Sequence, residues 1–568
     1  MLEIKRRDGL GRLAKWNTPR GKVALPDIAI VVNPNKQLIP IKELVREFKP
    51  QILMTNSYII RRSKISEKIE KKGLHKFLAF NGLIYTDSGA FQFYSRGIKD
   101  FDPEEIIEFQ KKIGSDVITP LDLFTFQDDS KGVVEKKLKE TVKRIRSVDK
   151  GDRLLVGPIQ GGRFLDLRRR AARLVMKENV DVFAIGGLVP LMENYEFKSL
   201  VEQVIVARNE LAVNKPIHAF GCGHPMVFSL LVLLGFDLFD SAMYSIAAEN
   251  DRYLTPEGTL RLEDIEELPC SCPVCSSTTA SELKKMNKGD RAKMLARHNL
   301  YVILGEIRKI RQAIAEGSLF ELVQQRVRAH PSLLEAFTYV LKKYGKFIEE
   351  YDPVTKRSAF LYSGPESEFR PEVMRAKKQI KHVKAERFFE KEPFGNVPLG
   401  LKYVYPFGQS LGPGKEVKKE PSHEEWVRQV IEYQFGRGAS KFFKSLRIRK
   451  SPVTGMPRRV FIDGQFVGAI RPNDGFFIPN IKGAELIKKA TKRPKNRVVI
   501  NDDAAPFVRD GKSVFVKFVR DCDPNLRPWQ EVLVVDKRDN LVATGTALLN
   551  AREIKGFRRH VAVKVRHH

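Results

Sequence analysis

The first 250 or so residues carry eight short β-branched or apolar runs, each ending in Gly, Pro or polar residues and followed by helical periodicity. They start at Ile28 (IAIVVNP), Gln51 (QILMTNS), Gly82 (GLIYTDSG), Asp116 (DVITPLD), Arg153 (RLLVGPIQGG), Asp181 (DVFAIGG), Pro216 (PIHAFGCGHP) and Phe236 (FDLFDSA). Continuously apolar strands are buried on both faces, as in a parallel sheet whose crossovers are helices. Eight such units predict an α/β chain built on a closed (β/α)8 TIM barrel. A doubly wound open sheet is the alternative, but no G-x-G-x-x-G turn opens a helix after the first run.

A barrel of this kind does its chemistry where the strands end, at the carboxyl face. The polar residues that follow the runs are Asn56, Asp87, Asp122, Gln160, Gly186–Gly187, His224 and Asp240. An aspartate at a buried strand end is costly unless something pairs or uses it. One could be a helix cap; several converging on one rim point to a site.

A different chemistry follows the barrel. Cys270-Ser-Cys272-Pro-Val-Cys275 precedes His298 by 22 residues, and His298 lies in a helical stretch with Leu295, Val302, Ile303 and Ile310 at helical spacing. Three thiolates and one imidazole form the tetrahedral donor set that zinc prefers, and four protein ligands leave no position for water. The spacing therefore predicts one structural Zn2+. Cys222 and Cys522 have no ligand partners nearby in sequence and read as ordinary buried cysteines.

The rest of the chain reads as small modules. The barrel with its zinc insert is expected over residues 1–350, an α+β connection over 351–422 and a small α+β domain over 423–492. That domain has a helical segment EEWVRQVIEYQFGRGASKFF and a hairpin turning at Asp463-Gly464. A β-barrel-like module fills 493–568.

The chain has 568 residues, and 100 Lys+Arg against 69 Asp+Glu leave a net charge of +31. Such an excess points to a polyanion, foremost nucleic acid. Candidate phosphate binders are Arg168-Arg169-Arg170, the Arg447/Arg449/Lys450 group, the run from Lys488 and Lys489 to Arg497, and Arg558-Arg559, the last three being favoured as a set. The longest apolar run, Val227 to Phe236, is half of what a bilayer span needs, and the basic start has no apolar core of a secretory signal. The chain is expected to be soluble and cytoplasmic, without a membrane partner.

TDSGAFQ (86–92), PLDL (120–123), IQGG (159–162), IGGLVP (185–190), LFDSA (238–242) and the CSCPVC cluster with His298 together resemble the tRNA-guanine transglycosylases. The C-terminal module resembles a PUA domain, a combination similar to the archaeal branch of that family. The resemblance implies a pentosyltransferase that replaces guanine at position 15, in the tRNA D-loop, by 7-cyano-7-deazaguanine for archaeosine synthesis. It implies a covalent aspartyl-ribose intermediate with Asp240 as nucleophile and Asp87 as general acid/base, the residues alone allowing the reverse. Asp122 would accept from N1–H and N2–H2 of the base, Gln160 and the Gly187 N–H would donate to O6, and Phe91 would stack on the ring. It also implies tRNA as partner, a PUA grip on the tRNA 3′ end, and a homodimer. The sequence departs from the family at Ala90, where a second Ser is common, and at Cys222. Two other readings compete: an archaeosine synthase paralogue, which generally lacks the paired aspartates, and a non-catalytic tRNA-binding subunit, which would have lost the nucleophile. A barrel metallohydrolase using His218 and His224 would need further strand-end ligands.

Overall fold

The computed structural model describes residues 2–90, 92, 102–413 and 418–568. Phe91, the expected stacking residue, lies outside the described residues. The chain divides into two compact units, Met1–Ala315 with Leu322–Val340, and Glu316–Glu321 with Leu341–His568.

The first unit opens with an antiparallel sheet of β1 (Leu2–Asp8), β2 (Gly11–Thr18) and β3 (Gly21–Leu25). The eight apolar runs then supply β4 (Asp27–Val31), β5 (Ile52–Asn56), β6 (Leu83–Asp87), β7 (Val117–Ile118), β8 (Leu154–Ile159), β9 (Val182–Ile185), β10 (Ile217–Ala219) and β11 (Leu238–Ser241). Each pairs in parallel with the next, and β11 closes on β4 with Leu238 opposite Asp27 and Ser241 opposite Ile30. The expected TIM barrel is present. Its strands are largely apolar, with most polar residues at their ends, because they are covered on both sides: all four residues of β9 are buried.

The N-terminal sheet was not foreseen, and its anchoring explains why it stays in place. The Arg12 guanidinium bonds both carboxylate oxygens of Asp237, at 2.8 and 2.7 Å, and the carbonyls of Val213 and Lys215. Those residues precede β10 and β11, so the sheet covers the amino-terminal end of the barrel, opposite the strand ends that carry the polar residues.

After β11 come the hairpin strands Arg252–Leu254 and Thr259–Arg261, the cysteine loop, and a helix spanning Lys288–Glu316. That helix buries Leu295, Ile303 and Ile310, as their spacing predicts. No helix among the described residues is long and apolar enough to cross a membrane.

In the second unit, the helix expected from EEWVRQV… spans His423–Phe435 and opens on a capping box of Ser422 and Glu425. It is shorter than the sequence suggested: Gly436 takes φ +99°, a conformation no helix tolerates, so GRGASKFF lies outside it. The hairpin turn is found at Asp463 and Gly464, both with positive φ, joining strands Pro457–Ile462 and Gln465–Ile470. The C-terminal residues form a six-stranded sheet.

Candidate active site and metal centre

Three carboxylates gather at the carboxyl face of the barrel. Asp87 is the last residue of β6 and lies opposite Asn56, the last of β5. Asn56 holds it, its Nδ2 donating to Asp87 Oδ2 at 2.8 Å while its Oδ1 accepts from the Ile59 N–H. Burial, then the neighbouring charges of Asp122 and Asp240, push the Asp87 carboxyl up from 3.8 to about 7; the N–H groups of Gly89 and Ser88 oppose this only in part. At neutral pH Asp87 is thus close to half-protonated, the state that suits an acid/base group.

Asp240, in β11, has a different environment. Its Oδ1 accepts from the Gly221 N–H at 2.7 Å and lies 3.0 Å from His218 Nε2. His218 is fully buried, and its Nδ1 is 3.2 Å from the Tyr85 hydroxyl. The tautomer that satisfies both contacts has Tyr85 donating to Nδ1 and Nε2–H donating to Asp240. Both contacts fall on the same oxygen and hold the carboxylate in one orientation. The sequence offered His218 only as a conceivable metal ligand; its contact with Asp240 depends on two strands meeting.

A third constellation follows β7 and β8. Gln160 Nε2 donates to Asp122 Oδ2 at 2.6 Å, and Gln160 Oε1 lies 3.1 Å from Thr125 Oγ1. Thr125 is buried and also accepts from the N–H of Gly162 at 2.9 Å. With its oxygen on Thr125, the Gln160 amide must turn its nitrogen toward Asp122. Burial raises the Asp122 carboxyl, and the Gln160 bond opposes that rise. Gly187 has φ +74°, a conformation that favours glycine, and a Cβ on Gly186 would lie 2.6 Å from Gln160 Nε2 and displace that amide. Thr125 went unnoticed in the sequence because a lone threonine carries no pattern. Carboxylate acceptors, an oriented amide and a glycine N–H are a donor–acceptor set for a flat heterocycle.

His224 takes no part in this group. Its Nδ1 accepts from the Met226 N–H, capping the helix Pro225–Leu233, its Nε2 meets Thr259, and burial drops it to about 4. It is a neutral structural residue.

The ligand atoms of Cys270, Cys272, Cys275 and His298 all lie within 4.8 Å of one another. His298 Nδ1 approaches Cys272 Sγ at 3.5 Å and Cys275 Sγ at 3.3 Å, while Nε2 is 2.9 Å from the Leu254 carbonyl. A proton on Nε2, held by that carbonyl, leaves Nδ1 as the ligand atom. The donor set fits a metal ion, and its four protein ligands fit a closed site.

The basic candidates separate by burial. Arg447, Arg449 and Lys450 are exposed on the strand Leu446–Lys450, and Arg449 sits opposite Arg459. Like charges facing each other across a ladder destabilise it unless an anion joins them. Arg558 and Arg559 are exposed, Lys489 is exposed and Lys488 half-buried. The two lysines end the helix Ile481–Ala490, where positive charge is favourable in any case. In the 168–170 triplet, Arg170 pairs with Glu135 and Arg168 is fully buried, so Arg168 is no phosphate binder.

The profile of the queuine tRNA-ribosyltransferase family matches residues 8–332. The patch-forming domain C2 of tRNA-guanine transglycosylase matches 425–494, and the PUA domain 496–568. Among relatives, the chain is 41% identical to the tRNA-guanine(15) transglycosylase of Methanocaldococcus jannaschii, covering all of this chain and 99% of that one. It is 44% identical to the protein of that name from Pyrococcus abyssi and 39% to that from Korarchaeum cryptofilum, in each case over the whole of this chain and 97% of the relative.

Proposed function

The chain belongs to the queuine tRNA-ribosyltransferase family, the tRNA-guanine transglycosylases, and from that membership we propose that it replaces guanine 15 of tRNA by 7-cyano-7-deazaguanine through an ester between Asp240 and the ribose. The observation that carries this reading is the contrast between two carboxyl groups at one barrel rim. Asp87 is pushed up to about 7 by burial and like charges, whereas Asp240 accepts two hydrogen bonds on Oδ1. A carboxyl that holds its proton near neutral pH suits proton transfer, and one fixed in place by two hydrogen bonds is positioned to attack.

An Asp240 carboxylate oxygen bonds to C1′ as the C1′–N9 bond breaks, and guanine leaves with the electron pair. The Asp87 carboxyl gives its proton to the departing base. The incoming 7-cyano-7-deazaguanine returns a proton from N9 to the Asp87 carboxylate, N9 attacks C1′, and Asp240 is released. Both bases present N1–H and N2–H2 beside O6, matching Asp122 as acceptor and Gln160 with the Gly187 N–H as donors; Phe91 is the proposed stacking partner. No nucleotide triphosphate is needed, because the ester conserves the glycosidic bond's energy.

The Cys3His group is proposed to hold one Zn2+, tying the cysteine loop to the helix of His298 and supplying no catalytic chemistry. RNA contacts are assigned to Arg447, Arg449 and Lys450, with Lys488, Lys489, Arg558 and Arg559, in modules bounded near 351–422, 423–492 and 493–568. A cytoplasmic homodimer belongs to the same reading and is checked by sedimentation.

The test uses tRNA carrying labelled guanine. Wild type should release label when given unlabelled 7-cyano-7-deazaguanine and should form a tRNA–protein adduct on denaturing gels. Asp240→Ala and Asp87→Ala should both stop release without weakening tRNA binding, and Asp240→Ala should leave no adduct. An adduct persisting in Asp240→Ala overturns the nucleophile assignment.

A further inference from the structure

Arg168 is an anomaly of charge. It lies in the helix Leu165–Val175 with none of its surface exposed. Three other deeply buried arginines grip carboxylates: Arg12 holds Asp237, Arg370 holds Glu321 and Glu372, and Arg375 holds Asp352. Arg168 has no ion pair among the described residues. Its Nε donates to the Gly162 carbonyl at 3.0 Å and its Nη1 to the Gly186 carbonyl at 2.9 Å, while Nη2 has no hydrogen-bond partner among the described residues. Burial pulls it down from 12.5 to about 10, so it stays charged at neutral pH. A buried guanidinium without counter-charge is expensive, and helix packing alone would be served by an apolar side chain.

The two carbonyls explain the choice of residue. The Gly186 carbonyl and the Gly187 N–H belong to one peptide group, so Arg168 bonds the far end of the group whose N–H is read above as a donor to O6. A cation bonded to the carbonyl draws electron density through the amide and makes its N–H a stronger donor. It also fixes the peptide plane. The second carbonyl, of Gly162, belongs to the loop that carries Gln160, the other O6 donor. The fit is close: a Cβ on Gly161 would lie 2.6 Å from Arg168 Cγ, and one on Gly187 3.2 Å from Nη2.

We propose that Arg168 is a positioning residue for O6 of the base, its charge relayed through the Gly186–Gly187 peptide to the atom on which negative charge builds as the base departs. When C1′–N9 breaks, the electron pair delocalises across the ring onto O6, and donors there gain strength in the transition state. The inference rests on the reading of Gln160 and Gly187 as O6 donors.

The test compares guanine with 6-thioguanine as incoming bases in exchange into tRNA. The two share N1–H and N2–H2 and differ only in a sulfur that accepts hydrogen bonds poorly. The ratio of their kcat/KM values is taken within one enzyme preparation, so loss of folded protein cancels. Wild type should favour guanine, and Arg168→Met should lower that preference about tenfold, mostly through kcat, with Arg168→Lys between the two. A folded Arg168→Met enzyme with an unchanged ratio overturns the proposal; a wild type without any preference overturns instead the O6 reading beneath it.

Should neither variant fold, the wild type still decides. Only two Gly-Gly steps occur in the chain, 161–162 and 186–187. Glycine labelled with 13C′ and 15N therefore gives two filtered amide signals, those of Gly162 and Gly187. Saturating guanine should move the Gly186 carbonyl carbon and the Gly187 amide together, and 6-thioguanine should move them less. A Gly186 carbonyl indifferent to guanine refutes the relay.

Discussion

Replacing Asp87 by Asn should stabilise the protein while stopping the exchange reaction. In the folded chain the Asp87 carboxyl is pushed from 3.8 to about 7 by burial and by Asp122 and Asp240. The folded state therefore keeps a proton that the unfolded chain has already lost. Stability falls as pH rises from about 4 to about 7 and levels off above, because over that window the unfolded state binds fewer protons. At about 1.4 kcal/mol for each tenfold change, the full cost is about 4 kcal/mol. Asp87 is only half-buried, and water at the carboxylate takes back part of it, leaving about 2–4 kcal/mol. Asn removes the charge and, with its own amide oxygen turned to Asn56 Nδ2, keeps an acceptor there while Asn56 Oδ1 stays on the Ile59 N–H.

Thermal melts of wild type and Asp87→Asn should then coincide near pH 4 and separate by a few degrees at pH 8, the variant melting higher. The wild-type rate of guanine release should fall above pH 7, as the proton donor is lost, and the variant should release none. A separation that is the same at pH 5 and pH 8, or a variant that melts lower at pH 8, would refute the account of Asp87 as a carboxyl strained by its neighbours.

Three further outcomes follow from other parts of the molecule. Gly186→Ala puts a methyl 2.6 Å from Gln160 Nε2, so it should displace the amide from Asp122 and raise KM for the base about tenfold or more while the melting temperature changes little; an unchanged KM counts against Gln160 as a base contact. Metal analysis should find one zinc per chain, and a chelator should expose the amides of the cysteine loop and of the helix around His298 to hydrogen exchange, without an intermediate state of altered kcat. Arg447→Ala with Arg449→Ala should lower the slope of log affinity for tRNA against log salt by about 1.5–2 and leave kcat at saturating tRNA intact; an unchanged slope removes these residues from the RNA surface.

The barrel strands were legible because a strand covered on both faces has few polar positions to conceal it, as DVFAIGG at β9 illustrates. The Cys3His cluster was legible because Cys270, Cys272 and Cys275 are neighbours in the chain and need no fold to bring them together. The sheet β1–β3 was not, because its strands alternate basic and apolar residues, and what holds it is Arg12 meeting Asp237, 225 positions away. Among the site residues, Asp87, Asp122, Gln160 and Asp240 stood out at the ends of apolar runs. Thr125 did not stand out, and His218 did so only as a metal ligand, since their partners lie on other strands.

Arg168 marks the boundary most sharply. In the run Arg168-Arg169-Arg170 the three side chains are chemically alike, and charge alone suggests that all three face water or phosphate. The turn of the helix puts Arg169 and Arg170 outward and Arg168 beneath the glycine loops. Strand number and the Cys3His cluster were thus decided by residue type and local spacing, which survive without tertiary contacts. Which proton sits where, and which cation is buried, were decided only when distant segments met, because burial and like-charge proximity are properties of the packed barrel and of no segment alone.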